Sequence, residues 1–189
     1  MRIIKLVVII TFLIISNSAL AANREPIGEP AGGGIVYGSE IGISVSAPAG
    51  WIFDSKSGVS QGLHGVMYPE GSSWTNSSQM MYVNMGKMDS GGTLEKFIQA
   101  DIESFVKNSP DLKVETLNTL TIQGGFKAEV RQFTGDKWGN YELIAYVQKG
   151  SSVAIYVLSS KTKDGYENSI GAFKEMVTKS FIMNMIFEK

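Results

Sequence analysis

The sequence predicts an α+β fold, a mostly antiparallel sheet of about six strands with amphipathic helices packed on it. Three observations carry that prediction. Short apolar or alternating runs between residues 35 and 160 are separated by turns rich in Gly, Ser and Asn. Two segments, near residues 94–106 and 164–180, repeat apolar residues at helical spacing instead. The strands flanking 135–140 and 149–151 are close enough in sequence to form hairpins, and hairpins make a sheet antiparallel.

Taken in order, Ile41, Ile43 and Val45 alternate with Gly42, Ser44 and Ser46, the period of a half-buried strand. Ala47-Pro48-Ala49-Gly50 turns the chain into Trp51-Ile52-Phe53, a second short strand. His64–Tyr68 and Met80–Lys87 are further strands, and Pro69–Gln79 between them reads as a loop. Leu94, Phe97, Ile98, Ile102, Phe105 and Val106 then share one helical face. Glu95, Lys96, Gln99, Asp101 and Glu103 take the opposite, wet face; Thr93 caps the start and Asn108-Ser109-Pro110 ends it.

Leu112–Leu117, Leu120–Ile122 and Phe126–Phe133 read as strands, followed by the turn Gly135–Asn140. Tyr141–Gln148 and Ser152–Ser159 form a hairpin, and Val153–Leu158 is apolar enough to be a central strand covered on both faces. In the final helix Tyr166, Ile170, Phe173, Val177 and Phe181 mark the buried face, with Asp164 and Glu167 placed for a capping-box start.

The front of the chain is of another kind. Arg2 and Lys5 precede an apolar run from Leu6 to Ile15, then Ser16–Ser18 and Ala19-Leu20-Ala21. This is the pattern of a secretory signal peptide (1–21) cut between Ala21 and Ala22. The apolar run is short of the ~20 residues a membrane span needs. Residues 22–34, with Pro26, Pro30 and Gly32–Gly34, read as a flexible linker, and 35–189 as one domain.

Cleavage takes two of the 17 basic residues and none of the 18 acidic ones, leaving a net charge of −3. That balance gives no electrostatic attraction for nucleic acid or anionic lipid. The absence of cysteine excludes disulfides, thiol catalysis, thiolate metal sites and lipid attachment at the cleavage site. The expectation is a soluble domain in the bacterial periplasm, or secreted beyond it, without a membrane anchor after cleavage.

Gly42-Ile43-Ser44-Val45-Ser46-Ala47-Pro48-Ala49-Gly50-Trp51 resembles the opening of PsbP-like and DcrB-like domains, where an alternating strand runs into a Pro-x-Gly-Trp turn. The order of helix, meander and terminal helix is similar as well. The resemblance implies a central antiparallel sheet between helices, an α/β/α sandwich. It also implies accessory, scaffolding or binding roles, with no shared catalytic motif; no cofactor is expected.

Candidate chemistry is sparse. Gly58-Val59-Ser60-Gln61-Gly62 matches the G-x-S-x-G elbow of serine hydrolases, but its glycines make a poor following helix, and His64 sits too close in sequence to serve as that fold's base. His64 is the chain's single histidine. Met80, Met81, Met85 and Met88, with Met67, offer soft thioethers of the kind that bind Cu(I). Met81, Val83 and Met85 also alternate as one face of a strand, which favours core packing. Asn76-Ser77-Ser78 is a glycosylation sequon. Trp51 belongs to the turn motif, whereas Trp74 and Trp138 stand in loops and are the candidate binding residues.

The function expected from these features is non-enzymatic: an exported accessory or scaffold protein that binds another protein. Immunity or adaptor work for a secreted effector is the alternative on the same fold. A soft-metal module and a small serine hydrolase are the alternatives of another class.

Overall fold

The computed structural model describes residues 32–185. The signal segment, the cut expected between Ala21 and Ala22, and residues 22–31 of the expected linker lie outside the described residues. The described chain runs β1 (Gly33–Tyr37), β2 (Ile41–Ser46), β3 (Trp51–Asp54), β4 (Val66–Pro69), β5 (Gln79–Lys87), α1 (Leu94–Asn108) and β6 (Lys113–Thr121). It continues with β7 (Lys127–Thr134), β8 (Tyr141–Lys149), β9 (Ser152–Ser160), α2 (Lys163–Lys179) and β10 (Phe181–Asn184).

Two antiparallel sheets result. The larger has seven strands in the order β3-β4-β5-β9-β8-β7-β6, and the smaller has three in the order β1-β2-β10. Strand β9 sits between β5 and β8, paired along its full length with both. Its continuous apolar character follows from that placement, since both of its faces are covered.

One face of the large sheet packs against α2 and the small sheet. Met81, Val83, Leu143, Ala145, Tyr156 and Leu158 meet Phe173, Val177, Ile43 and Ile182 there, and each is at most 2% exposed. Burying a side chain such as Phe173 contributes roughly 2–3 kcal/mol. The Tyr156 hydroxyl, deep in this layer, shares a 2.7 Å hydrogen bond with Ser180. The opposite face carries α1 over Phe133, Ile144, Tyr146 and Val157. Beside α1, the chain between β3 and β5 closes a smaller cluster around Leu63, Tyr68, Trp74 and Met80.

The α+β, mostly antiparallel architecture agrees with the sequence, and the details that differ have identifiable causes. Among the described residues there are ten strands in two sheets where about six were expected. Strand β1 includes Gly33 and Gly34, which the sequence assigned to the linker. Here glycine serves close approach: a Cβ on Gly34 would lie 2.6 Å from the Phe53 ring, and one on Gly33 would lie 2.6 Å from the Val45 carbonyl. The runs at 112–117 and 120–122 are one strand, β6, bent by a register shift between Leu117 and Leu120.

Thr93 caps α1 as expected, accepting the Lys96 N–H at 3.3 Å. Helix α2 is capped by Thr162, which accepts the Gly165 N–H at 3.1 Å; Glu167 instead pairs with Lys163 at 2.8 Å. Phe181 lies past the end of α2, opens β10 and is 44% exposed.

Candidate functional site

The residues singled out in the sequence do not converge. Trp74 is 6% exposed and packs with Ile52, Leu63, Val66, Tyr68 and Met80, so its ring belongs to a core cluster. Trp138 is 36% exposed in the β7–β8 turn, with the Lys137 ammonium 4.4 Å from its ring centre. Asp136 holds that turn by accepting the N–H groups of Trp138 and Asn140 at 3.1 and 2.7 Å.

The methionines divide between the two faces of β5. Met81 faces the α2 layer with Met67 opposite it, and Met85 packs on the same side. Met80 joins the Leu63–Trp74 cluster, and Met88 lies under α1. Side chains on opposite faces of one strand cannot ligate one ion. Ser60 is exposed on the single 3-10 turn Val59–Gln61. The Gly62 backbone that follows is left-handed, at φ 77°, and it turns the chain away from any helix after the serine. The elbow geometry of a serine hydrolase therefore does not form there.

The structure brings His64 to a groove that the sequence did not reveal. This cavity, of about 320 Å³, is lined by Tyr37, Gly38 and Ser39 on one side and by Gly62 and His64 on another. Its floor is the outer margin of β5 from Val83 to Lys87. The volume falls within the range of about 300–1,000 Å³ typical of ligand clefts.

The floor is open because β4 is too short to cover it. The register pairs only Val66 with Tyr82 and Met67 with Met81. Upstream, Gly65 fits beneath the Phe53 ring, Leu63 is buried, and the chain leaves the line of the sheet. β5 meanwhile continues, paired with β9 alone, as far as Lys87.

Strand alternation points the N–H and C=O groups of Met85 and Lys87 toward this margin. Among the described residues, their one hydrogen bond is from the Met85 N–H to the side-chain oxygen of Asn84, at 2.8 Å. A strand is borrowing a neighbouring amide where a partner strand would stand.

Glu40 fixes the wall of the groove. It accepts hydrogen bonds from Lys87 Nζ and Ser151 Oγ at 2.6 Å each, and from Ser152 Oγ at 3.2 Å. The bond from Lys87, then that from Ser151, lowers its pKa to about 2. The β1–β2 turn is thereby pinned to the start of β9, and the charge of Lys87 in the groove lining is neutralised by Glu40.

A second, smaller recess lies at the other end of β5. It measures about 20 Å³, room for a water molecule, and is lined by Ser78, Met80, Tyr82, Asn140, Glu142, Ser159 and Lys161. Burial pushes the Glu142 carboxyl up to about 7; the Ser159 hydroxyl partly opposes this, and Asp136 and Asp101 add to it. Asp101 was expected on the wet face of α1. It instead accepts a 2.7 Å hydrogen bond from Tyr146, and burial raises its own pKa. Tyr82, between the two acids, is held well above the ordinary phenol range by burial and then by their charges. Glu95, also assigned to that face, lies 3.7 Å from the buried Arg131.

A seven-stranded antiparallel sheet with a helix on each face and a small sheet beside one of them is a PsbP-like fold. The solution structure of cyanobacterial PsbP (CyanoP) from Synechocystis sp. PCC 6803 matches with a TM-score of 0.50 at 16% identity. The match covers 84% of this chain and 100% of that one. The Saccharomyces cerevisiae Ran-binding protein Mog1p is also similar, with a TM-score of 0.48 at 14% identity over 80% of this chain and 95% of that one. At such identities the likeness is one of fold. No protein-family model and no curated protein matches the sequence.

Proposed function

We propose that the protein is an exported bacterial accessory protein of the PsbP/DcrB-like kind, working in the periplasm by holding another protein and without catalysis of its own. The observation that carries this reading is the β5 groove. This cavity of about 320 Å³ is floored by backbone that no described residue pairs, and it is lined by small, uncharged and aromatic groups, with its one ion pair internally satisfied. Export rests on residues 1–21 and the cut after Ala21. A non-catalytic role is supported by the dispersal of Ser60, His64 and the methionines to places where no shared reaction centre forms.

The test is affinity capture from periplasmic extract with the tagged chain, exported under its own leader and sequenced at its mature N-terminus. A mature chain starting at Ala22 and one stoichiometric partner are expected. If that partner is a toxic effector encoded beside this gene, the role narrows to adaptor or immunity work. Ester hydrolysis abolished by Ser60→Ala, with no partner recovered, would overturn the reading.

A further inference from the structure

Resting on that reading, we infer that the partner is held by strand addition: an uncharged extended segment of it lies along β5 from Asn84 to Lys87, in line with β4. The occupant follows from what the margin offers. A row of backbone donors and acceptors at the spacing of alternate residues is complementary to another extended backbone, and edge strands left in this state recruit one. β4 already occupies the first part of the same line, opposite Met81 and Tyr82, so an incoming segment extends an existing ladder position.

Two nearer occupants fit poorly. A second copy would bring either its own β5 margin, recessed behind the same β1–β2 turn, or an edge such as β6, whose Lys113 and Glu115 find no matching charge in the groove. Met185, the last described residue, is tied to the side of the β1–β2 turn away from β1. Met185 N–H bonds the Glu40 carbonyl beyond β10, and β2 separates β10 from β1, whose end lines the groove.

The groove also constrains the guest. Lys87 and Glu40 are engaged with each other at 2.6 Å, leaving no free charge to match one on the guest. A Cβ on Gly38 would stand 2.7 Å from the Met85 sulfur, so the turn closes tightly over that side chain. The guest's inward side chains therefore meet Met85 and Tyr37, and its outward ones pass His64. Asn84 acts as a placeholder, because its side-chain oxygen must release the Met85 N–H before a guest carbonyl can accept it.

The experiment pans a phage-displayed library of random decapeptides against the mature chain. The best binder is then synthesised and titrated into ¹⁵N-labelled protein. Uncharged peptides are expected, with amide shifts centred on Met85, Lys87, Tyr37 and His64. Met85→Pro removes the guest-facing N–H without breaking a bond to β9, and should weaken the peptide about tenfold; Asn84→Ala removes the competitor and should tighten it about threefold.

If Met85→Pro compromises folding, the opposite sign at Asn84 still decides. Shifts located elsewhere, or unchanged affinity in both variants, overturn strand addition. Much tighter binding in a chain ending at Met185 overturns it too, by making the chain's own end the occupant. A stoichiometric protein partner retained by a folded Met85→Pro chain would leave the protein-binding reading standing while this inference fails.

Discussion

Along its outer margin, β5 meets two different environments within nine residues. At Met81 and Tyr82 it has a strand on each side, β4 and β9, and its side chains pass into closely packed layers. From Asn84 to Lys87 it has β9 on one side and a groove on the other. The strand turns from Met81, Tyr82 and Val83 to Asn84, Gly86 and Lys87 along this path, and its neighbour ends. The far edge of the same sheet shows how exposure is usually managed. β6 carries Lys113, Glu115 and a register shift near Leu117, devices that discourage pairing. The second half of β5 has no bulge; the Asn84 side chain and Lys87, whose charge Glu40 neutralises, are what blunt it. A protected edge and an unprotected one in a single sheet argue that the latter is kept for use.

This contrast can be broken most sharply with proline. Met81→Pro removes an N–H facing β4 within the buried ladder and is expected to cost more than about 3 kcal/mol, leaving no cooperative urea transition. Met85→Pro, four residues on, should cost about 1–2 kcal/mol, the loss of a half-buried side chain, and keep a cooperative transition. Equal destabilisation at the two positions would mean that the second half of β5 is held as tightly as the first.

The two ends of β5 also differ in their response to pH. Glu142 in the small recess has its pKa raised from 4.5 to about 7, so the folded state binds the extra proton. Its contribution to stability is present below about pH 4.5 and is lost as pH rises toward 7. Glu142→Gln should flatten the stability curve over that interval. Glu40 at the groove behaves in the opposite sense. With its pKa lowered to about 2, it stabilises the fold above its ordinary value of 4.5 and loses that effect as pH falls toward 2. Glu40→Gln should therefore flatten the acid limb instead, and denaturation curves at stepped pH separate the two. The smallest effect belongs to Trp138→Ala, a surface change expected to stay within about 0.5 kcal/mol and to leave peptide affinity unaltered.

Much of this architecture was legible from residue patterns, and the groove was not. The β8–β9 hairpin and α1 with its Thr93 cap follow from periodicity and turn or cap residues, because they are built from local contacts, and the central position of Val153–Leu158 follows from its unbroken apolar run. β1 was hidden because its first residues, Gly33 and Gly34, look like linker, and their need for close approach to Phe53 and Val45 exists only in the fold. β10 was hidden because Phe181 continues the spacing of α2 after the helix has ended at Lys179. Trp74 shows the complementary error: a loop aromatic folded back into a core beside Leu63. The groove depends on a mismatch between a four-residue strand and a nine-residue one, together with a turn brought from 44 residues or more away. The one sequence signal for it was the disparity in length between 64–68 and 80–87.

Amide hydrogen exchange tests the central claim most directly, comparing Met81, Met85 and Lys87 in the free chain and with the selected peptide bound. Met81 should exchange only with global unfolding. Met85 and Lys87 should exchange on the order of a thousandfold faster in the free chain, then slow at least about tenfold when the peptide is bound. Protection of Met85 and Lys87 equal to that of Met81 in the free chain, or exchange unmoved by the bound peptide, would contradict it.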